Sequence, residues 1–137
     1  MNDLLTKALI VASKAHKGQV DLAGVSYILH PLRVMAKMDS IEDKIIAVLH
    51  DVIEDSDVTP SSLLLDGFPP EIITVVDCLT RKVNESYDDY ISRIKKNPTA
   101  TRIKIADLAD NTDVSRGVID PVRLKKYVKA ITSLSVQ

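Results

Sequence analysis

"IEDKIIAVLHDVIEDSD", Ile41 to Asp57, sets a run of aliphatic residues directly against a histidine and a string of carboxylates. Ile41, Ile45, Ile46, Val48, Leu49, Val52 and Ile53 recur at helical spacing, so the pattern predicts one helix over 41–55. On a wheel of about 100° per residue with His50 at zero, Glu54 falls near ~40°, Ala47 near ~60°, Asp51 near ~100° and Asp55 near ~140°. The aliphatic residues fill the opposite arc. An acidic stripe of this kind is most simply a solvated face. His50 followed at once by Asp51 offers another reading, because an imidazole nitrogen and a carboxylate oxygen side by side can reach one ion between them.

Outward from this segment the whole chain reads as helix. Leu4, Leu5, Ala8, Leu9, Val11, Ala12 and Ala15 predict an amphipathic helix over 2–16, stopped by Gly18. Residues 17–29 hold two of the four glycines and no long period, as a loop would. "HPLRVMAKM" opens a helix with Pro31 in its first turn, and Thr59-Pro60 caps and starts a short one. "PPEIITVVDCLTR" gives a further helix, and "SYDDYISRIKKNP" another, capped by Ser86 and ended at Asn97-Pro98. Residues about 99–110 and 121–135 complete the set. No segment alternates with period two, so the expected class is all-α, with about six to eight helices in a single domain over 1–137.

Composition narrows the function. The 137 residues suffice for one core, and 45% hydrophobic with 27% charged residues is an ordinary globular balance. Lys+Arg 18 against Asp+Glu 19 leaves a net charge of -1, which gives no general attraction to nucleic acid or to an anionic membrane. The single cysteine, Cys78, lies among aliphatics and reads as a small core residue. The N-terminal apolar run, Ala8 to Ala12, is too short for a signal or a membrane span. A cytoplasmic protein is the expectation, with oligomeric state open.

Two ligands do not complete a metal site, and two further candidates are visible. His30 stands at the mouth of a helix in "YILHP", and Asp107 interrupts the aliphatic run of "RIKIADLADN". A carboxylate there is costly to bury without a charged partner or a metal. Each also has a plain alternative: His30 before proline can cap a helix, and Asp107 can pair with Lys104 one turn earlier. Tyr27 can stack on a base or pack beside His30.

"ALIVASKAHKGQ", "YILHPLRVM", "AVLHDVIEDS" and "RIKIADLADN" together, in this order, resemble the signature blocks of the HD-domain metal-dependent phosphohydrolases. The resemblance is closest to the hydrolase domain of the RelA/SpoT proteins and to stand-alone small alarmone hydrolases. It implies an all-α HD-domain fold that holds one divalent ion, usually Mn2+, and removes pyrophosphate from the 3′ position of guanosine tetra- or pentaphosphate (ppGpp, pppGpp). Carried over by motif, His30, His50, Asp51 and Asp107 would be metal ligands. Glu54 and Asp55 would act on the attacking water, and Asn111 would belong to the substrate pocket. Lys104, sharing a helix face with Asp107 and Asn111, and Tyr27 are further candidates for substrate contact.

One block departs from the pattern. After "HKGQ" the alarmone hydrolases usually carry a basic run, whereas this chain reads Val20, Asp21, Leu22, Ala23, with no cation until Arg33. Lys14, Lys17, Arg102, Lys104 and Arg116 are candidates to compensate. "LADN" also departs, with Ala109 and Asp110. A second reading therefore keeps the metal and the reaction class and changes the substrate to another nucleotide or phosphate ester. A third, of another class, is a non-catalytic nucleotide-binding or interaction module, against which Glu54 and Asp55 both stand. No synthetase domain is expected after Gln137, so the expected reaction is degradation alone.

Overall fold

Residues 2–136, which the computed structural model describes, are built from helices joined by short turns. The α-helices run Asn2–Ala15 (α1), Leu29–Ala36 (α2), Ile41–Leu49 (α3), Val52–Asp55 (α4), Pro60–Leu65 (α5), Pro70–Cys78 (α6), Tyr87–Lys95 (α7), Pro98–Asn111 (α8) and Pro121–Ser135 (α9), with a 3-10 turn at Val114–Arg116. The expected all-α class stands. Among the described residues the only β-type pairing is an isolated antiparallel bridge between Val20 and Ser26. None of the helices is long and apolar enough to cross a membrane.

The sequence signals for helix ends act where they stand. Thr59 and Ser62 form a reciprocal capping box with Pro60 at the first position of α5, so two otherwise unpaired N–H groups are satisfied at once. Ser86 accepts from Asp89 N–H at the start of α7, and Asn97 both follows α7 and caps α8 by accepting from Ala100 N–H. Gly18, with φ of +79°, takes the left-handed conformation that lets the chain leave α1.

One expected element divides. The helix predicted over 41–55 breaks at His50 and Asp51 into α3 and α4. His50 sends its side-chain Nδ1–H to the Ala47 carbonyl at 2.6 Å and its backbone N–H to the same oxygen at 3.4 Å. In a continuing helix that carbonyl would serve the N–H of Asp51. The local competition turns the chain, and Asp51 sits at φ −105°, ψ −2°.

α3 is the centre of the core. Ile45, Ile46, Ala47, Val48 and Leu49 are all fully buried, so the helix is enclosed on every side at this level. Ala47, which the wheel places beside Glu54 on the polar side, is buried with the rest. α1 and α2 pack on α3, with α6 and α8 closing further sides. α8 in turn carries α7 and α9. The consequence for function is geometric: α2, the α3–α4 turn and α8 meet, and each brings one or more of the candidate ligands.

Candidate metal centre

His30, His50, Asp51 and Asp107 converge, each offering one ligand atom, with all four atoms within 4.8 Å of one another. The Asp107 Oδ1 lies 2.8 Å from His30 Nε2 and 3.3 Å from His50 Nε2. The Asp51 Oδ2 lies 3.0 Å from His50 Nε2 and 3.7 Å from His30 Nε2. Three of the four residues are buried and Asp51 is nearly so.

The outward-facing ring nitrogens decide how the imidazoles present themselves. His30 Nδ1 donates to Asp110 Oδ2 at 2.6 Å and His50 Nδ1 donates to the Ala47 carbonyl at 2.6 Å. Both partners only accept, so both Nδ1 atoms carry hydrogen and both Nε2 atoms turn toward the carboxylates. In neutral rings these are lone pairs, so four electron-pair donors face one point. That arrangement is repulsive until a positive charge enters it, and it fits a divalent cation with mixed nitrogen and oxygen ligands.

Without a metal, protons supply the charge. Burial alone would push both histidines down, yet hydrogen bonds to Asp107 and Asp110 raise His30, and the charges of Asp51 and Asp107 carry His50 well above the ordinary imidazole value. Burial likewise opposes ionisation of Asp107, and Lys104 and His50 overcome it, holding the carboxyl well below its usual range.

The structure brings the other candidate residues around this cluster in different ways. Tyr27 donates its hydroxyl to Asp51 Oδ2 at 2.5 Å, and its ring leans on His30 with centroids 5.5 Å apart. Lys104 Nζ meets Asp107 Oδ2 at 2.8 Å, and Asn111 Nδ2 donates to Asp107 Oδ1 at 3.3 Å. The Lys104–Asp107 pair and the clustering of Asp107 therefore hold together, one on each carboxylate oxygen. Asp55, at the end of α4, is pushed up to about 6 by partial burial and then by the charges of Asp51 and Glu54. Glu54 is exposed, and its Oε1 accepts from the Arg81 backbone N–H at 2.9 Å.

Asp110 is the residue that the sequence did not identify. It is 2% exposed, accepts from His30, and receives Arg33 Nε at 2.8 Å and Nη2 at 3.1 Å. Arg116 also donates to its backbone carbonyl and lies 3.2 Å from its Oδ2. Its three-residue offset from Asp107, on the same face of α8, was the available signal. The same contacts place Arg33 and Arg116 on Asp110, while Arg102 pairs with Asp43 at 3.1 Å.

"HKGQ" forms the wall behind Tyr27. Gln19 Nε2 donates to the carbonyls of Ala15 and Asp55, so its Oε1 accepts from His16 Nδ1 at 2.9 Å. The His16 ring lies 5.0 Å from that of Tyr27. A groove of about 880 Å3 runs between α1, α4 and α5 and reaches the site at Asp55; the four candidate ligand residues are not on its walls.

Known proteins resemble this chain in sequence and in fold. In an alignment of 141 positions that takes in 93% of its length, the chain is 43% identical to a guanosine-3′,5′-bis(diphosphate) 3′-pyrophosphohydrolase of Vibrio cholerae, and over 119 positions it is 29% identical to one of Aquifex aeolicus. It is also 28% identical over 116 residues to a GTP pyrophosphokinase of Myxococcus xanthus. It covers 20%, 17% and 15% of these three proteins, so it spans about a fifth or less of their length. A solved structure of a metazoan SpoT ortholog, described as hydrolysing ppGpp, superposes with a TM-score of 0.75 at 20% identity, over 96% of this chain and 84% of that one. No family model matches the sequence.

Proposed function

From the premise that this chain is an HD-domain relative of the RelA/SpoT-type proteins, we propose that it is a metal-dependent phosphohydrolase that releases pyrophosphate from the 3′ position of a guanosine alarmone. The observation that carries this reading is the convergence of His30, His50, Asp51 and Asp107 with their Nε2 and carboxylate atoms inward. These four residues would hold one divalent ion, manganese by resemblance. Such an ion polarises a phosphoryl oxygen and lowers the pKa of water.

The protein's own groups supply the rest. Asp110 fixes the His30 ring and Tyr27 fixes Asp51, so the ligand set is preorganised. Asp55, at the end of α4, and Glu54 are the two carboxylates at the rim that can accept a proton from water. One of them takes the proton of the water that attacks the phosphorus attached to the ribose 3′ oxygen. The bond to that oxygen breaks, pyrophosphate leaves, and the oxygen gains a proton. Asn111 and Lys104 flank Asp107, where the scissile group would lie.

The test is metal-stripped protein reloaded with manganese and incubated with guanosine tetraphosphate beside a panel of other nucleotides, with pyrophosphate and phosphate followed separately. Pyrophosphate release from the tetraphosphate, lost in Glu54→Gln or Asp55→Asn, is the expected result. Inertness toward it with full metal loading would contradict the reading. One observation favours a different nucleotide: in the loop after Gln19, Val20 and Leu22 are exposed and Asp21 folds back on the Ala23 and Val25 N–H groups. That loop offers no cation, and turnover of another member of the panel would reassign the substrate while keeping the site.

A further inference from the structure

Two cations with no carboxylate partner stand against one aromatic ring, Tyr87, near the metal cluster. Lys126 Nζ, on α9, stands 4.0 Å from the centroid of Tyr87, and Arg81 Cζ, from the turn before α7, stands 5.7 Å from it. Among the described residues neither forms an ion pair. The cations that lie against the metal cluster itself, Arg33, Arg116 and Lys104, are all held by carboxylates. Arg81 is exposed and its Nε donates to the Glu85 carbonyl at 3.0 Å. The Tyr87 hydroxyl is buried and has no hydrogen-bond partner. Lys126 is held below its ordinary value, first by partial burial and then by the charges of Arg81, Arg123 and Lys104. Like charges gathered in this way repel one another, and an anion among them removes the cost.

The position ties this group to the site. The Arg81 backbone N–H donates to Glu54, and Tyr87 lies 6.0 Å from Tyr90, whose ring carries Lys104, the partner of Asp107. A groove of about 560 Å3 between α7 and α9 has Tyr87 and Lys126 on its walls. The chemistry of the substrate calls for such a place. A nucleotide with two diphosphate chains can present one to the metal cluster, whose neighbouring cations, Lys104, Arg33 and Arg116, are already paired with Asp107 and Asp110. The second chain needs cations elsewhere, and the loop after Gln19 has none.

We propose that Arg81 and Lys126, with the Tyr87 hydroxyl, form an anion clamp that holds the phosphate chain lying away from the metal cluster; this rests on the polyphosphate-nucleotide reading above. The guanidinium supplies a planar fork for phosphate oxygens, the ammonium a point charge, and the hydroxyl a neutral donor.

The experiment compares manganese-loaded wild type, Arg81→Ala, Lys126→Ala and Tyr87→Phe on guanosine tetraphosphate and on guanosine 3′-diphosphate, which has the same scissile group and no second chain. The clamp predicts that KM for the tetraphosphate rises about tenfold for each lost cation, that kcat is unchanged, and that KM for the 3′-diphosphate does not move. Equal effects on both substrates, or none on either, would overturn it. Calorimetry of inorganic pyrophosphate on metal-free protein gives a readout apart from turnover. Binding weakened in Arg81→Ala and Lys126→Ala supports the clamp even if wild type hydrolyses no alarmone, and then the hydrolase reading fails alone. Turnover by wild type with both variants matching it in both assays removes the clamp and leaves the hydrolase reading standing.

Discussion

His30 and Asp110, eighty residues apart in the chain, are joined by a 2.6 Å hydrogen bond from Nδ1 to Oδ2. The bond fixes which imidazole nitrogen faces Asp107 and anchors α2 to α8. Asp110→Asn keeps the shape and loses the charge that orients the ring. Its metal affinity is expected to fall by about 10- to 100-fold, read by competition with a fluorescent chelator. Unchanged affinity would show that His30 needs no such partner.

The metal-free protein should respond to pH in a definite direction. His30 and His50 are raised above the ordinary imidazole value because neighbouring carboxylates outweigh burial. Their contribution to stability is therefore fully present below about 6.5, the unfolded value, and is lost as pH rises through the raised folded values. Melting curves of stripped protein between pH 6 and 9 are expected to show a falling Tm, and manganese is expected to flatten that slope by replacing the protons. A flat profile without metal would contradict the account.

Tyr27→Phe removes one hydroxyl and keeps the ring that packs on His16 and His30. The lost bond is to a charged carboxylate, worth about 1.5–3 kcal/mol. Metal affinity or kcat should fall by roughly tenfold or more, with the fold intact by circular dichroism. A neutral result would leave Tyr27 with packing alone.

Much of this arrangement was legible in the sequence, and the exceptions share a cause. The caps at Thr59 and Ser86, the stop at Asn97-Pro98 and the period of α3 are local, so short windows contain them. The four candidate ligands, which the structure brings together, were legible because three ordered blocks carry them. The break at His50 was not, because a side-chain bond to the Ala47 carbonyl leaves the apolar period unchanged. Asp110 read as a departure because its meaning depends on how α8 meets α2. Arg81 and Lys126 were invisible together, since only the packing of α7 against α9 brings them to Tyr87.

The enclosure of α3 makes a plain stability prediction. Leu49 is fully buried one residue before the histidine, and Leu49→Ala should cost about 2–5 kcal/mol in denaturant unfolding. Leu65, 88% exposed on α5, should change stability by no more than about 0.5 kcal/mol when replaced by alanine. Similar values for the two would mean that α3 is not the centre of the core.

The most direct test of the central claim is metal content and pyrophosphate release measured on the same samples of wild type and Asp107→Ala after manganese loading and desalting. The account predicts one equivalent of metal and turnover of guanosine tetraphosphate in wild type, with both lost in the variant. Turnover that persists in a folded Asp107→Ala, or in wild type stripped of metal, would contradict it.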